Sequence, residues 1–201
     1  MYKNVVFDVG NVLVRWSPSE IIRLTFGDTE RTEALTESIF HSEIWRDLNK
    51  GLFSEQQAKE RYQASLGLTA QECDALFYYV KQTQILIYQT TDLLRRLKAA
   101  DYATYALTDN VHEIVAHLKQ RYDFWPLFDG AIVSAELGLL KPQAEIYRAL
   151  LEQYQLDPAQ TIFLDDMPYN VEGAKACGIA AIQFASAAQA EAELKALGLS
   201  F

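Results

Sequence analysis

Cysteine is scarce in this 201-residue chain, with Cys73 and Cys177 the only two. They stand far apart and outside any Cys-x-x-Cys pattern, which argues against a disulfide framework or a cysteine zinc site. Positive charge is also in short supply: 18 Lys and Arg stand against 27 Asp and Glu, a formal net charge of −9 with the histidines neutral. That balance argues against nonspecific binding to nucleic acid or to a membrane surface. No apolar stretch approaches the roughly 18 residues that a membrane span needs. The N-terminus reaches Asp8 too early for the apolar run of a secretory signal, so the cytoplasm is the expected location. Internal repeats, low-complexity tracts and Pro- or Gly-rich linkers are missing as well.

What is present can build a core. Half of the residues are hydrophobic and 22% are charged, far from the profile of a disordered chain. At this length one domain with a small insertion is the natural expectation. Short β-like runs fall at residues 4–7, 102–107, 131–134, 161–164 and 179–184. Helical patterns lie between them at 90–100, 111–121, 143–155 behind Pro142 in a first turn, and 171–177 ending at Gly178. This alternation predicts right-handed βαβ crossovers and a parallel sheet, with a ligand site beyond the carboxyl ends of its strands. The fold class is therefore α/β, a Rossmann-like parallel sheet with helices on both faces.

Residues 17–89 break the alternation and read as consecutive amphipathic helices at 19–26, 30–40, 42–48, 54–66 and 69–81. Ser54 followed by Gln57, and Thr69 followed by Glu72, fit the capping-box pattern. These residues are expected to form an inserted α-helical cap, and residues 1–16 with 90–201 the catalytic α/β core. An alanine-rich helix over 185–196 closes the chain.

Four segments carry candidate chemistry. Asp8 leads Asp8-Val9-Gly10-Asn11-Val12 where the first strand ends, although an aspartate there is commonly a turn former or cap. Thr108-Asp109-Asn110 reads locally as a helix N-cap, yet its hydroxyl and backbone N–H groups also suit an anion. Lys141 precedes Pro142 at a helix start. Asp165 and Asp166 place two adjacent carboxylates at a buried strand end, where they repel unless a cation, a proton or several donors compensate. A hard divalent ion with oxygen ligands meets that need. All four would converge on one sheet edge and bring together a carboxylate nucleophile, a hydroxyl, an ammonium and paired acids.

In type, order and spacing these motifs resemble those of the haloacid dehalogenase (HAD) superfamily of phosphohydrolases, and the resemblance covers nearly the whole chain. The first and fourth motifs are similar to those of the bacterial branch that contains the α-D-glucose-1-phosphate phosphatase. The resemblance implies that Asp8 is the nucleophile forming an aspartyl-phosphate. It implies Mg²⁺ held by Asp8, the Gly10 backbone carbonyl and Asp165 or Asp166, with the choice between the two acids open. Thr108 and Lys141 would bind the transferring phosphoryl oxygens, with Asn11 and Asp109 as further substrate-binding candidates. Asn110 and Asn170 are candidates to orient these groups. In one respect the chain departs from the pattern: the general acid–base aspartate that most of these phosphatases carry two residues after the nucleophile is here Gly10.

The implied function is Mg²⁺-dependent hydrolysis of a small phosphorylated metabolite, sugar phosphates first, beneath a closing cap. Two other readings stand beside it: a metal-independent haloacid dehalogenase, and a noncatalytic phosphometabolite-binding protein on a degenerate scaffold. Oligomeric state is left open. His112 and His117 are five apart, off the spacing of a metal pair, and read as solvated helical side chains. Arg15 and Trp16 are candidates for substrate contact or a hinge. Trp45, Phe53, Tyr62, Phe77 and Tyr78 fit the core of the insertion, with one or two facing the pocket.

Overall fold

Alternation along the first strand sets the architecture. In the computed structural model, which describes residues 1–28 and 30–201, β1 (Asn4–Phe7) sends Val5 and Phe7 into one apolar cluster and Val6 into another. Successive strand side chains point to opposite faces, so a strand apolar on both requires cover on both.

Five helices follow β1 before any further strand: α1 (Pro18–Phe26), α2 (Thr32–Phe40), α3 (Glu43–Asn49), α4 (Glu55–Leu66) and α5 (Ala70–Gln82). They bury Ile21, Ile39, Tyr62, Phe77 and Val80 against one another, with α1 packed on α2 and α5, and α4 on α3 and α5. Both expected capping boxes form. Ser54 and Thr69 accept from the backbone N–H of Gln57 and Glu72, whose side chains accept in return.

The α/β alternation then runs α6 (Tyr88–Ala99), β2 (Ala103–Thr108), α7 (His112–Arg121), β3 (Gly130–Val133), α8 (Ser134–Leu137), α9 (Ala144–Gln153), β4 (Thr161–Asp165), α10 (Pro168–Ala176), β5 (Ala180–Gln183) and α11 (Ala187–Ala196). All strands are parallel, in the order β3-β2-β1-β4-β5. Leu94 and Leu97 of α6, Ile114 and Leu118 of α7 and Leu194 of α11 join the cluster on the Phe7 face. Ile146, Tyr147 and Leu150 of α9 and Ala174 of α10 join the one on the Val6 face. The expected three-layer α/β fold is what forms, and no helix among the described residues is long and apolar enough to cross a membrane.

Three local expectations need correction. Pro142 lies before α9 rather than in its first turn: Gln143 is the N-cap residue, and the Lys141–Pro142 peptide is cis. The helix expected from 171 starts at Pro168, where a proline at the first helical positions lacks only an N–H that has no intrahelical partner. Thr108 caps no helix, because Val111 occupies the N-cap of α7 and makes no side-chain cap bond.

Two contacts fix the edges of this framework. Gly51, at φ +68°, runs against α8 so closely that a Cβ would lie 2.2 Å from the Ala135 carbonyl oxygen. On edge strand β3 the Tyr154 hydroxyl both accepts from Ala131 N–H and donates to Ala131 C=O, each at 2.9 Å. The C-terminal helix is tied to α6 by Arg96, whose guanidinium grips both Glu191 oxygens. Donation from Arg96 and then Lys195 holds the Glu191 carboxyl down at about 2, against an ordinary value of 4.5. The stabilisation is therefore complete above pH 4.5 and is lost as pH falls toward 2. We expect Glu191→Gln to lower unfolding free energy by up to about 1 kcal/mol at pH 7. In urea titrations its difference from the parent should shrink below pH 4.5.

Candidate active site

The chain leaves β1 toward β2 and β3 on one side and returns to β4 and β5 on the other, so a crevice opens where β1, β2 and β4 end. Asp8 follows β1 directly, and its N–H continues the ladder to Leu164 O at 2.9 Å. Thr108 ends β2 and Asp165 ends β4. Strand register thus brings together residues that lie more than 150 positions apart in the chain.

Lys141 enters this edge from the segment after α8. Its Nζ, with a side chain 1% exposed, donates to Asp8 Oδ1 at 2.9 Å, Asp165 Oδ2 at 2.7 Å and Leu107 O at 3.3 Å. Those three acceptors match the three donors of an ammonium. Burial works against the charged lysine, but Asp8, Asp165 and Asp109 outweigh it and hold the ammonium above the usual lysine range. Burial pushes the Asp8 carboxyl up, to about 8, with Lys141 opposing and Asp165 adding to the shift. Asp109 and Asp166 are also raised, chiefly by burial.

The two tandem acids occupy different environments. Asp165 is fully buried, and both of its oxygens are occupied. Oδ1 accepts from Met167 N–H at 2.8 Å and Oδ2 from Lys141, while Asn170 Nδ2 lies 3.0 and 3.1 Å from the pair. Asp166 is half-buried and lines the cavity; its Oδ2 accepts from Asn11 Nδ2 at 3.1 Å, and Oδ1 has no donor from another described residue. Asp8 Oδ2 is likewise free of donors among the described residues, whereas Oδ1 accepts from Val9 N–H at 2.7 Å. Ligand oxygens of Asp8, Asp165 and Asp166 lie within 4.8 Å of one another. Three carboxyl groups surround one ammonium, which can balance only one of them when ionised, and Asn170 Oδ1 is buried without a partner. This donor set fits a hard divalent cation.

The remaining candidates gather at the same edge. Gly10, Asn11 and Asp109 line the cavity, and Asp109 Oδ1 accepts from Lys141 N–H at 3.1 Å. Asn11, at φ +53°, also accepts from Trp16 N–H at 2.9 Å. Thr108 is buried at the strand end, and the wall beside it is formed by Asp109 and Asn110. Ser134 escaped the sequence reading. Its buried hydroxyl accepts from Asn110 N–H at 2.8 Å and donates to Asn49 O at 2.6 Å, tying α3 to the β2 loop. The only sequence signal was a serine at the end of a strand.

The cavity above Asp8 measures about 500 Å³, within the range of small-molecule sites, and takes walls from both the sheet edge and α2–α3. Trp16 and Trp45 line it, together with Phe40, which sequence reading did not single out. Tyr62 and Phe77 are core residues as expected and Phe53, beneath Arg61, packs half-buried against the core, whereas Tyr78 is exposed. Arg15 pairs with Glu20 and is not among the cavity residues. His112 is exposed, but His117 is not a solvated side chain: it is half-buried, its Nε2 is buried without a partner, and burial lowers its pKa.

A sequence model of the haloacid dehalogenase-like hydrolases matches residues 2–178, and the chain belongs to this family of enzymes. The sesquiterpene phosphatase astK of Aspergillus oryzae is 30% identical over 196 residues, which span 98% of this chain and 96% of that protein. The pyrimidine 5'-nucleotidase PynA of Streptococcus pneumoniae is 22% identical, over 91% of this chain and 84% of its own. The HAD family enzyme bt-2542 of Bacteroides thetaiotaomicron, solved in complex with magnesium and inorganic phosphate, superposes with a TM-score of 0.74. It is 22% identical over 90% of this chain and 93% of its own, a likeness of fold.

Replacing Lys141 by methionine removes the cation from between Asp8 and Asp165. Denaturant unfolding in the presence of a chelator should show a loss of about 3 kcal/mol or more, the scale for stranding buried charges. An unchanged midpoint would show that the two carboxylates do not depend on the ammonium.

Proposed function

We propose that the protein is a Mg²⁺-dependent phosphomonoesterase acting on small phosphorylated metabolites through an aspartyl-phosphate. The carrying observation is the cluster itself: a donor-free Asp8 oxygen at a cavity floor, beside two further carboxylates and one buried ammonium. Asp8, Asp166 and the Gly10 carbonyl would hold the ion. Asp165, already occupied by Lys141, Asn170 and Met167, serves as the post that positions Lys141. When bound, Mg²⁺ neutralises phosphoryl charge and orients the group for in-line attack.

Asp8 Oδ2 attacks phosphorus, forming the acyl-phosphate bond while the ester P–O bond breaks and its electron pair leaves with the alcohol oxygen. Water then attacks phosphorus and returns Asp8 as a carboxylate. Lys141 fixes Asp8 Oδ1 and offsets repulsion between the nucleophile and the anionic substrate. Backbone and side-chain donors around Thr108, Asp109 and Asn11 would receive the phosphoryl oxygens. No aspartate stands at position 10 to protonate the leaving oxygen, so solvent or the substrate supplies that proton. Residues 17–89 act as the cap over residues 1–16 and 90–201, a division supported by a cavity walled from both parts. The two free cysteines support the cytoplasmic placement.

The sugar-phosphate assignment rests on likeness in the first and fourth motifs. Those residues meet the phosphoryl group and the metal, so their similarity to the α-D-glucose-1-phosphate phosphatase carries little information about the leaving group. Dehalogenation is disfavoured by the acid cluster and by the engagement of Arg15 with Glu20. Measured on p-nitrophenyl phosphate with Mg²⁺, Asp8→Asn should lose at least about 10³-fold in rate; equal rates would sink the proposal.

Position 10 offers a second test. A Cβ there meets only Trp16 Cβ, at 3.8 Å, so the fold has room for a side chain. Gly10→Asp should raise kcat on alkyl phosphates by about 10²-fold, the lower end of general acid–base assistance. No gain, in a folded variant that still binds Mg²⁺, would show that leaving-group protonation does not limit turnover.

A further inference from the structure

Several polar side chains in the walls above the phosphoryl site spend a hydrogen-bonding group on the protein itself. Ser42 Oγ donates to Ile39 O at 2.7 Å and accepts from Trp45 N–H at 3.1 Å. Asn49 Nδ2 donates to Trp45 O at 2.8 Å, and Gln84 Nε2 to Val80 O at 3.0 Å. Asn110 Oδ1 accepts from Val111 N–H, His41 Nδ1 meets Glu37, and Arg46 pairs with Glu43. Each of these residues lines the cavity and has at least one polar atom engaged within the protein. A polyhydroxylated leaving group would give up water at each hydroxyl and meet side chains already partly engaged by the protein.

Three aromatic side chains form an apolar wall beside the acid cluster. Trp16 and Trp45 stack with centroids 5.7 Å apart and planes at 15°. Phe40 stands edge-on to both, at 5.4 and 5.0 Å. Ile114, Leu140 and Met167 complete the surface. Asn11 joins the two halves, since its amide nitrogen holds Asp166 and its oxygen holds the Trp16 backbone. The aromatic stack is therefore set one residue away from where a phosphoryl group would sit.

Building on the phosphomonoesterase reading above, we propose that the leaving group is a hydrocarbon alcohol, an alkyl or unsaturated chain seated on Trp16, Phe40 and Trp45, rather than a sugar. Its burial would supply the binding energy that polar contacts do not.

The test compares methyl, butyl, hexyl and octyl phosphate with glucose 1-phosphate on the Mg²⁺-loaded protein. Values of kcat/KM should climb by about threefold per added methylene until the cavity is filled, and octyl phosphate should exceed glucose 1-phosphate by at least about 100-fold. Trp45→Ala should flatten the slope. In parallel, calorimetry on Asp8→Asn should give alkylphosphonate Kd values that fall with chain length. A flat series, or glucose 1-phosphate turned over as well as octyl phosphate, overturns the inference. If no ester is hydrolysed while phosphonate affinity still climbs with the tail, the phosphatase reading fails and the apolar leaving-group site stands.

Discussion

One buried ammonium holds the carboxyl-bearing strand ends together. Lys141 binds an oxygen of Asp8 and an oxygen of Asp165 while closing on the Leu107 carbonyl, so it links the ends of β1, β2 and β4. Without it, two buried carboxylates would face each other away from most of the solvent, where like charges repel strongly. With it, Asp165 becomes a fixed post and Asp8 keeps one oxygen clear. The acid cluster is thus organised from behind by a cation, and its unbalanced negative charge is directed to the cavity side, where Asp166 stands.

The strands and helices were legible in the sequence because the apolar pattern changes period cleanly, as at Val5, Val6 and Phe7 in β1 and at Ser54 and Thr69 ahead of α4 and α5. Asp8, Lys141 and the tandem acids were legible for a different reason: each is a polar residue where an apolar strand or helix pattern stops. The division of labour between Asp165 and Asp166 was not. It depends on which acid turns toward Lys141 and Asn170, a matter of side-chain direction that adjacent positions of the same residue type cannot reveal. Ser134, Phe40 and the joining of Phe40 with Trp16 and Trp45 in one wall were hidden for a related reason. Trp16, Phe40 and Trp45 sit on separate segments, and an amphipathic pattern does not distinguish a side chain facing a core from one facing a cavity.

The helical segment and the acid cluster are not mechanically separate. Ser134 ties the end of α3 to the loop after β2, and Gly51 lets the same region approach α8 with no side chain between them. Asn11 connects an acid of the cluster to the Trp16 backbone. A displacement of the helical segment would therefore be felt at the carboxylates, and a change at the carboxylates would be felt at the indole stack.

The hydroxyl of Tyr154 has a consequence outside the site. By occupying both the N–H and the C=O of Ala131, it takes from β3 the pair of backbone groups that an incoming strand would need at that position. A parallel sheet with a bare margin is a template for uncontrolled growth. Here a single phenol terminates the ladder, so self-association through that margin would first have to evict an aromatic ring from its packing against Tyr105.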